Sequence, residues 1–210
     1  PEKELNNLIG LENIKKEILL MKAYLKKQRV LGNKINMNMC FYGNPGTGKT
    51  EVARLVAKIF HRAGFLKTDN FIEVDRSGLV AQYIGQTSHR VHELFKSALG
   101  GVLFIDEAYS LAPDYGSEAV SALLKDMEDY RGKICVILAG YKKEMEHLFS
   151  VNPGFKSRIN RYIDFPNYSR DEMFLIVKHI IKKNKYTCSD ECAKAIMDIV
   201  MLSSMDDDFA

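Results

Sequence analysis

The sequence predicts an α/β fold: a three-layer αβα sandwich on a mostly parallel five-stranded sheet, followed by a small α-helical appendage. Three observations point to it. Apolar-rich stretches at 35–42, 71–74, 102–105, 134–139 and 162–165 read as strands. Between them, apolar residues recur at helical spacing, and strands alternating with helices build a parallel sheet covered by helices. Finally, Val102–Ile105 and Ile134–Ala139 are apolar at every position, the signature of strands buried on both faces.

Each element follows from local chemistry. Ile14, Ile18, Met21 and Leu25 share one face of a first helix, which Gly32 closes. Ile35 to Tyr42 is a strand stretch interrupted by asparagines. Val52, Ala53, Leu55, Val56, Ile59 and Phe60 then mark a helix that Gly64 stops. Phe71–Val74 is a short strand. Val91, Leu94, Phe95 and Ala98 form the inner face of a helix broken by Gly100-Gly101. Ser117 to Tyr130 is helical, with Val120, Leu123, Leu124 and Met127 inward. After Pro166 the strand signals cease. Ser169-Arg170-Asp171-Glu172 is a capping box that opens a helix with Met173, Ile176, Val177, Ile180 and Ile181 apolar. A second helix runs from about Asp190 to Ser203. The division expected is therefore 1–166 for the α/β domain and 167–210 for a partial helical lid. The end, an acidic turn followed by Phe209, reads as a truncated domain.

At 210 residues and 46% apolar, the chain is large enough for a sizeable core. A net charge of +3, with both signs interspersed, argues against a nucleic-acid partner. Cys40, Cys135, Cys188 and Cys192 lack C-x-x-C spacing and an accompanying His, so reduced thiols are expected rather than a metal site. No long apolar run or leader pattern is present. A cytoplasmic protein without a membrane partner is the expectation.

The most specific chemical signal is the octapeptide Gly43-Asn44-Pro45-Gly46-Thr47-Gly48-Lys49-Thr50, which fills G-x-x-x-x-G-K-[ST]. Chance supplies that pattern in about one chain of this length in a hundred. Here a strand stretch precedes it and a helical one follows, as a phosphate-binding loop requires. The glycines let successive N–H groups turn toward phosphate oxygens. Lys49 brings a positive charge to the outer phosphates, and the Thr50 hydroxyl is a Mg²⁺ ligand. The first turn of the next helix, which includes Glu51, adds its N–H groups and dipole. Asn44, Pro45, Gly46, Thr47, Gly48, Lys49, Thr50 and Glu51 are thus the candidate ATP- or ADP-binding positions.

Asp106 and Glu107 close the strand 102–105, at the strand end where ligands bind in open α/β sheets. Asp106 can hold Mg²⁺, and Glu107 can polarise the water that attacks the γ-phosphate.

Together these residues resemble the AAA+ ATPases, a branch of the P-loop NTPases, over residues 5–210. Tyr83-Ile84-Gly85 is similar to the aromatic–hydrophobic–Gly pore loop of protein-remodelling members. Phe104-Ile105-Asp106-Glu107-Ala108-Tyr109, Leu138-Ala139-Gly140-Tyr141 and Asn152-Pro153-Gly154-Phe155-Lys156-Ser157-Arg158 narrow the resemblance to the CbxX/CfqX group. The resemblance implies a homo-oligomeric ring, a hexamer in the full-length protein, whose ATP sites lie between subunits. It implies that Arg158 and Arg161 complete the neighbour's site. An arginine in that role is worth about 10³–10⁵ in rate in other nucleotide hydrolases. Tyr141 aligns with the sensor-1 position, where the family usually has Asn, Ser or Thr. Leu8 to Leu11, with Ile9 and Gly10, aligns with the segment that packs on adenine. The family's lid arginine lies beyond the last residue here, so weak hydrolysis is expected of a chain ending there.

The function expected is ATP hydrolysis that drives remodelling of a protein client, pulled through a central pore by Tyr83-Ile84-Gly85. Rubisco, a sporulation partner and a secretion partner all suit these motifs. Two other readings stand beside it: a nucleotide-switched docking module without threading, and a DNA loader or helicase, which the near-neutral charge opposes.

Overall fold

The computed structural model of the chain describes residues 1–79, 86–111 and 117–206. Two compact units result: Pro1–Asn6 with Glu12–Pro166, and Asn7–Leu11 with Asn167–Ala210.

In the larger unit, α1 (Glu2–Asn6) and α2 (Glu12–Val30) precede β1 (Met39–Tyr42), and α3 (Lys49–Arg62) follows it. Next come β2 (Phe71–Val74), α4 (Arg76–Leu79), α5 (Thr87–Ser97) and β3 (Val102–Ile105). A short 3₁₀ turn (Ala108–Leu111), α6 (Ser117–Asp129), β4 (Cys135–Gly140), α7 (Lys142–Val151), α8 (Gly154–Arg158) and β5 (Arg161–Asp164) complete the unit. The strand order is β2-β3-β4-β1-β5, and every neighbouring pair is parallel. The mostly parallel sheet of the sequence reading is thus wholly parallel among the described residues.

Strand alternation divides the core. Cys40, Tyr42, Leu103, Ile105, Val136 and Leu138 point to one face, where Val91 and Phe95 of α5, Val120, Leu123 and Met127 of α6, Met145, Leu148 and Phe149 of α7 and Phe155 of α8 pack on them. On the opposite side, α3 lies against β3 and α2 against β5. The central strands β1, β3 and β4 are buried at every position, so their C-terminal ends form a rigid platform.

The first strand begins at Met39 rather than Ile35. Asn36 and Asn38 are the reason: their side chains take up hydrogen bonds outside the sheet ladder. Helix α7, with Met145, Leu148 and Phe149 buried, was not among the expected elements.

In the smaller unit, α9 (Arg170–Lys183) and α10 (Asp190–Asp206) lie side by side. Ser169 caps α9: its hydroxyl accepts from Glu172 N–H at 3.3 Å while its own N–H donates to the Glu172 carboxylate at 2.8 Å. Val177, Ala193 and Met197 form a small core between the helices. The pairs Arg170–Asp198 and Lys178–Asp190 run in opposite chain directions, so the two helices are antiparallel.

Candidate nucleotide site

The octapeptide starts where β1 leaves the sheet, held between β4 and β5. Gly43 N–H donates to the Gly140 carbonyl at 3.1 Å, which extends the ladder one residue into the loop. A Cβ on Gly43 would stand 2.6 Å from the Phe165 carbonyl oxygen, so no side chain fits there. Gly46 (φ 74°) and Gly48 (φ 91°) take left-handed backbone, which favours glycine. The loop is closed from inside: the buried Thr47 hydroxyl donates to the Asn44 carbonyl at 2.7 Å.

Lys49 is the first residue of α3, yet its side chain folds back over the loop. Its ammonium donates to the carbonyls of Gly43 at 2.7 Å and Asn44 at 2.8 Å, and the residue is only 8% exposed. Burial holds its pKa below the ordinary lysine value, against the opposing pull of the Asp106 and Glu107 charges. Gly48, the residue before helix α3, has no side chain to cap it, so the first-turn amides of Thr50 and Glu51 are left for another acceptor. A Gly-rich cradle, an uncapped helix start and a buried ammonium together form an anion site.

Asp106 and Glu107 stand at the same end of the sheet. Ile105 pairs with Leu138, and Leu138 with Cys40, so Asp106 is level with Phe41 two strands away, about 10 Å laterally. Asp106 is anchored by its own N–H on the Val74 carbonyl at 2.8 Å, and its carboxylate accepts Glu107 N–H at 3.0 Å. Glu107 has φ 47°, a left-handed conformation that costs a non-glycine residue on the order of 1 kcal/mol or more. The strained turn aims an exposed carboxylate outward at the end of a buried strand. The Glu107 carbonyl accepts Ser110 N–H at 2.8 Å, tying the glutamate into the 3₁₀ turn.

Tyr141 follows β4, the strand between β1 and β3, and so stands between the loop and the acidic pair. Its ring lies 5.8 Å from that of Tyr109, and burial pushes the Tyr109 phenol up to about 12. Tyr109 is a neighbour that the sequence left without a role.

The two arginines lie elsewhere. Arg161 pairs with Met39, at the opposite end of β1 from the loop, about 10 Å along the strand from Tyr42. Its guanidinium stacks 5.6 Å from the Tyr24 ring, with Nε buried and without a hydrogen-bond partner among the described residues. Arg158 ends α8, three residues earlier. Its Nε donates to the Leu124 carbonyl at 2.7 Å and its Nη1 to the Gly154 carbonyl at 3.1 Å. The geometry brings Lys49, Thr50, Asp106, Glu107 and Tyr141 to one end of the sheet and leaves both arginines at the other.

Ile9 and Gly10 belong to the smaller unit. Gly10 has φ 62°, and a Cβ there would collide with the Glu172 carboxylate. Ile9 lines a cavity of about 430 Å³ with Leu175, His179 and Tyr186. Tyr83, Ile84 and Gly85 lie outside the described residues. Among the described residues no cluster of three or more His, Cys, Asp or Glu side chains could hold a metal, and no helix is long and apolar enough to cross a membrane.

Residues 39–167 match the profile of the ATPase family associated with various cellular activities (AAA). Stage V sporulation protein K of Bacillus subtilis (strain 168) is 43% identical over 210 residues, covering 95% of this chain and 65% of that protein. Protein CbbX of Cereibacter sphaeroides is 42% identical, covering 97% of this chain and 69% of that protein. The chloroplastic ribulose bisphosphate carboxylase/oxygenase activase of Cyanidioschyzon merolae is 39% identical, covering 92% and 70%. The chain thus spans about two thirds of the length of these relatives. Among solved structures, the FIGL-1 AAA domain in complex with ADP superposes with a TM-score of 0.67 at 19% identity, over 91% of this chain and 65% of that one. The Thermotoga maritima RuvB Holliday junction branch migration motor superposes with a TM-score of 0.63 at 23% identity, over 90% and 56%. At these identities the superpositions speak to the fold alone.

Proposed function

Because the chain belongs to the AAA family of ATPases, within its CbxX and CfxQ group, we propose that it hydrolyses ATP with Mg²⁺ as a ring, a hexamer, and thereby remodels a protein client. The observation that carries this reading is Lys49. A buried ammonium held on the carbonyls of its own loop, with an uncapped helix start beside it, is a site built for a polyanion. The donor set also suits Mg²⁺, which takes few protein ligands and shares substrate phosphates. Thr50 and Asp106 would hold it.

Mg²⁺, when bound, neutralises phosphate charge and helps orient the group transferred. The chain's own residues do the rest. Lys49 exchanges its carbonyl partners for phosphate oxygens, and the amides from Gly46 to Glu51 bind the same anion. Glu107 orients a water and accepts its proton as it attacks. Tyr141 stands where it can sense the outer phosphate. Arg158, and with it Arg161, serves the site of a neighbouring copy, since both lie at the far end of their own sheet. Ile9 and Gly10 pack on the adenine. Tyr83-Ile84-Gly85 grips the polypeptide of the client, and the division at 166 separates motor from lid.

The test uses the full-length protein. Glu107→Gln should abolish ATP turnover while ATP binding persists; turnover at the wild-type rate would refute the role of Glu107. Tyr83→Ala should retain turnover and lose client remodelling. Unchanged remodelling would favour a nucleotide-switched docking module instead.

A further inference from the structure

We infer that Asn36 and Asn38 are positioning residues for Arg158, an inference that rests on the proposed role of that arginine in a neighbouring site. The Arg158 carbonyl oxygen accepts the side-chain amides of both asparagines, each at 3.1 Å. Two donors match its two lone pairs, so this acceptor is fully occupied.

Neither asparagine is a casual surface contact. Asn38 is 4% exposed, and its Oδ1 accepts the Val136 N–H of the β4 segment at 2.9 Å. Its backbone N–H donates to Asn36 Oδ1 at 3.0 Å, and its carbonyl accepts Asn160 N–H at 2.9 Å. The Asn160 side chain closes the network by donating to the Asn36 carbonyl at 2.8 Å. The guanidinium end of Arg158 is fixed independently, on Leu124 and Gly154.

The consequence lies in what these strands carry at their other ends. Asn38 immediately precedes β1, which leads into the phosphate loop, and Val136 lies near the start of β4, which ends at Gly140, just before Tyr141. The backbone of the arginine proposed to serve the neighbour is therefore tied to the bases of the two strands that lead to the chain's own candidate nucleotide site. Loss of the amide donors frees that backbone, and a misplacement of about 1 Å in a positioned group can cost about 10²-fold in rate.

Asn36→Asp and Asn38→Asp each keep the accepting oxygen and remove the donor to Arg158. The two variants guard against misfolding at the buried position. In full-length protein, co-purified mixtures of Glu107→Gln and Arg158→Ala subunits, isolated on two tags, should hydrolyse ATP although neither does so alone. Placing either asparagine substitution on the Glu107→Gln subunit, which only donates its arginine, should lower that activity about tenfold or more. On the Arg158→Ala subunit, which only accepts, the same substitution should leave activity unchanged. A purely structural role predicts equal losses on both sides. Equal losses, or no loss on the donating side, overturn the inference. Failure of the starting mixture to hydrolyse ATP overturns the arginine's role itself, and is read before any asparagine is changed.

Discussion

Gly140 is the last residue of β4, and a methyl group there would meet Tyr109, in the turn that follows Glu107. An alanine Cβ would stand 2.6 Å from Tyr109 Cδ1 and 3.0 Å from the Met145 sulfur. Carbon atoms in ordinary contact are about 3.5–4.0 Å apart, so the tyrosine ring must retreat by about 1 Å. Tyr109 belongs to the same 3₁₀ turn that Glu107 enters through its bond to Ser110, so whatever part of the retreat the side-chain torsions do not absorb is passed to that turn. Overpacking of this kind costs about 1–3 kcal/mol, which in a domain of this size lowers Tm by about 2–12 °C. Displacing Glu107 by a similar distance should lower kcat by about 10²-fold. The Lys49 bonds lie on the loop, and the backbone bond from Gly43 N–H to the carbonyl of residue 140 survives an alanine there, so ATP affinity should fall far less than kcat. Gly140→Ala, assayed for steady-state turnover, ATP binding and thermal unfolding, separates these effects. Wild-type turnover and Tm together would refute the reasoning; so would a loss of ATP binding as complete as the loss of turnover.

Two further predictions follow from burial. Lys49 titrates below its unfolded value of about 10.4, so between the two pKa values the folded chain binds fewer protons and stability rises with pH. The unfolding free energy of wild type relative to Lys49→Met should therefore increase as pH rises toward the unfolded value of about 10.4 in the nucleotide-free protein, and a flat difference in urea titrations would contradict it. Burial pushes the Cys40 and Cys135 thiols up, whereas Cys192 is exposed and Cys188 half-buried. A maleimide should accordingly label Cys192 and Cys188 in the native protein and reach the other two only after denaturant, and simultaneous labelling of all four would be the wrong result.

What was legible in the sequence was chemistry written in adjacent residues. The octapeptide, the acidic pair after an apolar strand and the Ser169 capping box each depend on short-range spacing, and each forms the local structure its spacing requires. Helix α7 is equally local, with Met145, Leu148 and Phe149 at helical spacing, but it opens after Tyr141, which supplies no side-chain cap to mark its start. The first strand is a different case. Ile35 to Tyr42 has strand-like composition throughout, yet Asn36 and Asn38 spend their amides on a carbonyl 120 or more positions away. Composition weighs the residues of a window and has no access to such partners. The same holds for Arg161 over Tyr24 and for the left-handed backbone of Glu107, which no residue type announces. Asparagines inside an apolar stretch were the one visible hint.

The sheet's polarity has a consequence for assembly. In the proposed assembly each copy would present its acceptor site at one end of the sheet and its arginines at the other, so a contact that completed a site would join unlike surfaces, head to tail. A two-fold dimer, which mates identical patches, could not complete its sites through such a contact. An open row of copies always leaves the site at one terminus without its arginine, whereas closure fills them all. Activity per subunit should thus climb with row length and step upward when the circle closes, which makes closure itself a form of control.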